Sequence, residues 1–422
     1  MKFFFALVLC VCCALQGGPA RAADAASLET QVQELGRLVK DLSLTVEHQQ
    51  REIALLKGQT PPAFTTPGPQ SGPLAGRPAP SAGRWNPDIG VIGDVVFTSD
   101  SAKEDEEGAD RISVRELEVV FGAAVDPWTR FDATLGIADF EEMSIEEAYA
   151  TRFGLPLGST ARFGRVLPKI GKAIPVHRDT LDTVDEPLVV ARYFGHHGFS
   201  KSGADWTVPL DLPTGGAHEA TLGVLEGGNG EEGTLFGESR REPTVYSHLK
   251  NYWDFSDVSG IELGASHLAG SRDDDSSFEV NVIGVDGTFR HRFAADRGFK
   301  LQSELFWVDR SESFYESEDE FGNLIYEDLD GSTWGAYLLA DLRFHTRWST
   351  GVRLDAVDLI ALEPGSPDSR DEGVTGYLTF HQSEFARWRV QLSHFDLADG
   401  EDDNQVLVQG TFAIGEHKHK LV

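Results

Sequence analysis

The residues of this chain that could do chemistry gather in one stretch and on one recurring face. Between Pro168 and Ser200 lie Lys172, His177, Arg178, Asp185, Glu186 and the pair His196-His197. Imidazole nitrogens and carboxylates ligate zinc and similar ions, so His177, His196 and His197, with Asp185 and Glu186 nearby, form a candidate metal set. No helical i, i+4 spacing fixes them, and histidines that line a lumen or pack a loop are the plainer reading. His417 and His419 fall on opposite sides of a terminal segment and read as solvated. Gly164 to Lys172 has the wrong spacing for a phosphate loop, and no Ser or Thr follows the lysine. Asp328-Leu-Asp330-Gly lacks the rest of an EF-hand ligand series, and neither Gly-x-Ser-x-Gly nor His-Glu-x-x-His occurs. All three cysteines (Cys10, Cys12, Cys13) lie in the first 22 residues, which leaves the remainder without a thiol nucleophile or a thiolate metal site. The reading is of a protein that is not an enzyme and carries no cofactor, and whose chemistry is that of placed charge.

Those charges need a scaffold, and the scaffold is written as alternation. In Arg387-Trp-Arg-Val-Gln-Leu-Ser393, Trp388, Val390 and Leu392 alternate with Arg387, Arg389, Gln391 and Ser393. A strand sends successive side chains to opposite faces, so one face is oily and the other wet. Such segments of about ten residues recur from Asp88 onward, which predicts an all-β transmembrane barrel of about sixteen antiparallel strands, apolar toward lipid and polar toward a lumen. The parity points Arg343, Arg353, Arg387 and Arg389 inward as a basic strip, and lumen charges set ion preference. The gaps after odd strands are mostly long and acidic, while those after even strands are short and rich in turn residues. Outer-membrane barrels have long outer loops and short periplasmic turns, so both ends of the barrel are expected on the periplasmic side. Tryptophans at strand ends (Trp128, Trp334, Trp348, Trp388) fit interfacial girdles.

Other segments precede the barrel. Residues 1–22 read as a secretory signal peptide: Lys2, an apolar run from Phe3 to Leu15, then Ala20-Arg21-Ala22. Residues 23–57 carry Leu28, Val32, Leu35, Val39, Leu42, Val46, Gln49, Ile53 and Leu56 in alternating steps of four and three, an α-helical coiled-coil seam. Its Val or Ile at a and Leu at d favour dimers. Leu38 widens the apolar stripe and e positions poor in charge favour three strands, so a homo-oligomer, most simply a trimer, is expected. Residues 58–87 hold eight prolines and two charges, an extended linker that could span up to ~90 Å. It would hold the coil in the periplasm, within reach of peptidoglycan, while residues 88–422 form the barrel in the outer membrane. The formal net charge of −31 excludes a nucleic-acid binder. Acidic runs such as Glu104 to Glu107, Asp273 to Asp275, Glu316 to Glu320 and Glu401 to Asp403 read as solvated outer loops, with cation bridging to lipopolysaccharide as the alternative.

Short motifs add a family likeness. Phe163-Gly-Arg with Gly171-Lys, Pro175-x-His177, Asp185-x-Pro-Leu-Val189, Phe194-Gly-x-x-Gly-Phe199 and the tail Gly415-Glu-His-Lys-His-Lys420 resemble porin-like barrels related to the phosphate-selective porins O and P. A neighbouring group is often labelled zinc-regulated outer-membrane receptors. The resemblance implies a passive barrel with a loop, here 168–200, folded into its lumen and bringing Lys172, His177, Arg178, Asp185 and Glu186 toward the arginines. The chain lacks the globular plug of energy-coupled receptors, so the receptor label does not carry over, and it departs from the family in ending Leu421-Val422 rather than in the terminal aromatic usual for barrel insertion. A passive channel for small hydrophilic solutes is the leading expectation. An envelope tether and a metal- or oxyanion-specific uptake channel are the alternatives.

Overall fold

A computed structural model describes residues 87–101, 111–138, 143–195, 199–228, 235–237, 239–272, 278–318, 324–360, 370–398, 400 and 402–415. The side chains of 312–318 and 324–329 are left undescribed. The leader, coiled coil, linker, His196, His197 and the tail histidines lie outside the described residues.

Sixteen strands follow one another: β1 (Asp88–Ser99), β2 (Arg111–Asp126), β3 (Thr129–Ile137), β4 (Ser144–Arg152), β5 (Thr160–Val166), β6 (Lys201–Leu210), β7 (Ala217–Leu225) and β8 (Thr244–Ser256). The second half holds β9 (Ser259–Ser271), β10 (Glu279–Ala294), β11 (Arg297–Glu318), β12 (Leu324–His345), β13 (Trp348–Asp358), β14 (Arg370–Ser383), β15 (Ala386–Asp396) and β16 (Asp402–Gly415). Each pairs antiparallel with its neighbours, and β1 closes on β16 from Gly90 opposite Gly415 to Ser99 opposite Val406, so the barrel has no free edge. Closure satisfies every ladder within the sheet, the condition for backbone to cross hydrocarbon. Among the described residues no helix is long and apolar enough to cross a membrane.

The alternation expected on β15 is present. Arg387, Arg389, Gln391 and Ser393 are buried, and Trp388, Val390 and Leu392 are exposed. The same outward exposure continues through Leu338, Leu342 and Phe344 on β12 and Val352 and Leu354 on β13. Large apolar side chains over the whole outer wall are unaffordable in water and natural in lipid. Near the short-turn end Trp348 packs on Phe380 and Trp388 on Phe412. The short turns have local causes: between β2 and β3, the Trp128 amide donates to Asp126 Oδ1 at 2.7 Å, an Asx-type closure.

The inner face departs from a uniformly polar lining. Val280 and Val282 of β10, Phe306 and Val308 of β11, Tyr337 and Leu339 of β12 and Val357 of β13 form an apolar floor. It receives the connection between β5 and β6. A seven-residue helix, α1 (Leu188–Phe194), presses Val189, Val190, Tyr193 and Phe194 onto this floor. Gly335 of β12 makes the approach possible, since a Cβ there would lie 2.5 Å from Val189 Cγ2. The helix start is held as well: the Leu188 amide donates to Asp355 Oδ1 at 3.0 Å.

Candidate functional site

The inward parity of β13 and β15 places Arg353, Arg387 and Arg389 on one wall, and Arg115 of β2 joins them. All four reach the same strip, residues 179–185, which begins in a single 3-10 turn (Arg178–Thr180) and continues without regular structure. Arg389 donates to the carbonyls of Leu181 (3.0 Å) and Thr183 (2.7 Å), and Arg387 to that of Asp179. Arg353 donates to the carbonyl of Asp185 (2.9 Å) and to Thr183 Oγ1 (2.6 Å), and Arg115 to the carbonyl of Val184. Gln391 completes the seam, accepting from the Val184 amide at 2.7 Å and donating to Asp185 Oδ1 at 2.7 Å. An arginine presents several donors in a rigid fork, so a row of them can satisfy a strip of backbone that no sheet or helix satisfies.

These arginines are therefore covered by the strip: Arg353 is 0% exposed, Arg389 3% and Arg387 4%. Two of the four have a carboxylate partner on the wall. Arg353 Nε donates to Asp355 Oδ2 at 2.7 Å, and Arg115 Nε to Asp94 Oδ2 at 2.8 Å. Arg343 stands apart, half-buried, donating to the Thr346 carbonyl at the turn after β12. Of the loop charges expected near the arginines, only Asp185 touches one, with Oδ1 at 3.4 Å from Arg353 Nη1. Arg178 and Glu186 pair with each other at 2.6 Å. Lys172 turns to the opposite wall, meeting Glu262 of β9 and Asp286 of β10, and Lys300 of β11 meets Asp182. Burial alone would lower the Lys172 pKa, but those two carboxylates raise it. Burial would likewise raise the Asp182 carboxyl, yet the Lys300 ammonium holds it below its ordinary 3.8.

His177 enters a second cluster. Its Nε2 lies 3.0 Å from Glu147 Oε2, and its Nδ1 lies 3.0 Å from Glu146 Oε2 and 3.3 Å from Glu118 Oε1. Burial opposes protonation of the ring, but these three carboxylates outweigh it and raise the pKa well above 6.5. Asp179, two residues on, is pushed up to about 7 by burial and by the charge of Glu118. Two β-bulges build the cluster. Asp94 faces Glu116 while Val95 faces Val114, which leaves Arg115 as the extra residue of β2. Thr134 faces Glu147 while Leu135 faces Ile145, which leaves Glu146 extra on β4. A bulge lets two consecutive side chains share a face, so Arg115 joins Glu116, and Glu146 joins Glu147, on the inner side. Gly136 of β3 makes room, since a Cβ there would lie 2.0 Å from Glu146 Oε1. Sequence reading missed Arg115, Glu118, Glu146 and Glu147, and placed Gln391 on the wet face without giving it a contact. The paired charges Arg115-Glu116 and Glu146-Glu147 were visible, but strict alternation sends one of each pair into lipid.

Comparison with known proteins agrees with the geometry at the level of fold. No protein family model matches the chain. An uncharacterized protein of Aquifex aeolicus is 25% identical over 325 residues, 71% of this chain and 68% of that one. Among solved structures, the anion-selective porin of Comamonas acidovorans superposes with a TM-score of 0.53 at 13% identity, covering 78% of this chain and 99% of that one. Pseudomonas putida OprB (TM-score 0.51, 9% identity) and Salmonella typhi OmpF (TM-score 0.51, 11% identity) match over the same 78% of this chain and over 94% and 97% of their own. The chain has the closed sixteen-strand fold of these porins.

Proposed function

We propose that this protein is a passive outer-membrane diffusion channel for small hydrophilic solutes, narrowed by the 168–200 segment. The observation that carries the reading is the strip 179–185, bound along its backbone by inward arginines of a closed barrel whose outer wall is apolar. A tether would need only the barrel; a seat built from Arg115, Arg353, Arg387, Arg389 and Gln391 has a purpose where the segment must keep its place against flow. With those arginines turned to the strip, ion preference falls to the partly exposed charges elsewhere on the wall, the Lys250–Glu262 pair (3.4 Å) among them. The leader for export, the coiled coil that joins the chains as a trimer in the periplasm, contact with lipopolysaccharide and peptidoglycan, and kinship to the phosphate-selective porins complete the proposal. Purified protein in planar bilayers is the test. Discrete, non-rectifying conductance steps support a channel, and a silent barrel whose deletion leaves envelope defects supports a tether.

A further inference from the structure

We propose that His177, Glu118 and Glu146 form a binding site for a divalent transition cation of the zinc type, tying the Pro175–Arg178 corner of the loop to β2 and β4. The three donors come from three separate elements, and one nitrogen and two carboxylate oxygens lie within 4.8 Å of one another. Zinc holds nitrogen and oxygen ligands at about 2.0–2.2 Å, which places tetrahedral ligands about 3.3 Å apart. The separations of Nδ1 from Glu146 Oε2 (3.0 Å) and from Glu118 Oε1 (3.3 Å) already approach that spacing.

Two independent features point to an ion rather than to a simple charge cluster. Glu118 is 3% exposed, and its Oε1 has only a 3.3 Å ion-pair approach to Nδ1, longer than the 3.0 Å contact Nδ1 makes with Glu146. A buried carboxylate oxygen so loosely paired is costly, and a coordinated cation would satisfy it better. The second feature is the outer support of the ring. Nε2 meets Glu147 Oε2 at 3.0 Å, and Glu147 Oε1 in turn accepts from the Leu167 amide at 3.3 Å. Metal-bound histidines commonly donate their second nitrogen to a fixed carboxylate, which leaves the first nitrogen to the ion. Here that first nitrogen is Nδ1, the one between Glu118 and Glu146. Glu146 is 18% exposed at its side chain, which leaves the site an edge open to water or an incoming ion. The imidazole selects a borderline ion over magnesium or calcium, which prefer all-oxygen cages.

The experiment is calorimetric titration of zinc chloride into chelator-stripped full-length protein in mild detergent. Wild type should bind one zinc per chain more than His177→Gln, and Glu118→Gln should weaken that site at least tenfold. Excess calcium should not displace it. Heat-modifiable migration reports that each variant barrel is folded, and Glu146→Gln serves if Glu118→Gln is not. X-ray absorption at the zinc edge should show a nitrogen and oxygen shell containing one imidazole in wild type. Equal stoichiometry and affinity in wild type and His177→Gln would place the metal on other histidines and overturn the inference. Absence of zinc binding in wild type would overturn it too, and would leave the channel reading intact, because conductance is recorded without metal.

Discussion

At the residue scale, the guanidiniums of β13 and β15 act on the backbone of the loop before they act on any ion in the lumen. Arg389 alone satisfies two loop carbonyls and also reaches Thr379 Oγ1 at 3.0 Å and Gln409 Oε1 at 3.1 Å. Arg389→Gln leaves those carbonyls buried without donors, and each such loss costs about 1–3 kcal/mol. The variant is expected to keep its barrel but to release the loop, read as new protease cleavage between 168 and 200. Arg343→Gln, whose side chain donates to the Thr346 carbonyl at the turn after β12, should leave the cleavage pattern unchanged. A second expectation concerns acid. The Asp182 carboxyl sits below its ordinary 3.8 because of Lys300. A carboxyl depressed in the folded state contributes stability above its unfolded value, and that contribution is lost as pH falls through the folded one. Loop protection should therefore decline below about pH 4, and Asp182→Asn should remove the part of the decline that comes from this pair. An unchanged acid profile in Asp182→Asn would dissociate the pair from the seat of the loop.

At the scale of elements, the strands were legible because lipid and lumen enforce a period of two, and nothing else in the molecule is so strictly periodic. The alternation expected from Asp88 onward begins with β1 at Asp88, and the expectation of about sixteen strands is met by sixteen. The misses have physical causes. β11 and β12 each run 22 residues, through Ser311 to Glu318 and Leu324 to Gly331, where the acidic sequence reads as loop. In 324–331 both parities carry charge, Glu327 against Asp328 and Asp330, a pattern the lipid-crossing part of a strand does not tolerate and a strand beyond it can; in 311–318 the glutamates run on into the acidic stretch to Glu320. α1 was missed because seven residues are too few to show a helical period, and the apolar floor beneath it because Val280, Val282, Phe306 and Val308 are oily at lumen-facing positions. The candidate site was half legible: the loop and its arginine partners stand out by charge and parity, whereas Glu118, Glu146 and Glu147 meet His177 only through bulges. The alternation of gaps also predicts sidedness. Labels on cysteines introduced at Glu104, Gly230, Asp319 and Asp402 should react on intact cells, and those at Pro127, Pro213 and Asp296 should not. Reaction at Pro213 would reverse the assigned orientation of β6 and β7.

At the scale of the whole molecule, a closed wall and an interior segment divide the work: the ladders hold the barrel, and the arginine seam with the apolar floor holds the segment. The division means that the segment can be removed without unravelling the sheet, because β5 and β6 pair directly from Thr160 opposite Thr207 to Val166 opposite Lys201. The most direct measurement is single-channel conductance of the wild type against a variant in which residues 168–200 are replaced by a short turn. A channel narrowed by this segment gives discrete steps in the wild type and steps severalfold larger, with flatter ion selectivity, in the variant. Equal conductance in the two proteins, both folded by heat-modifiable migration, would contradict the account and take the segment out of the transport path.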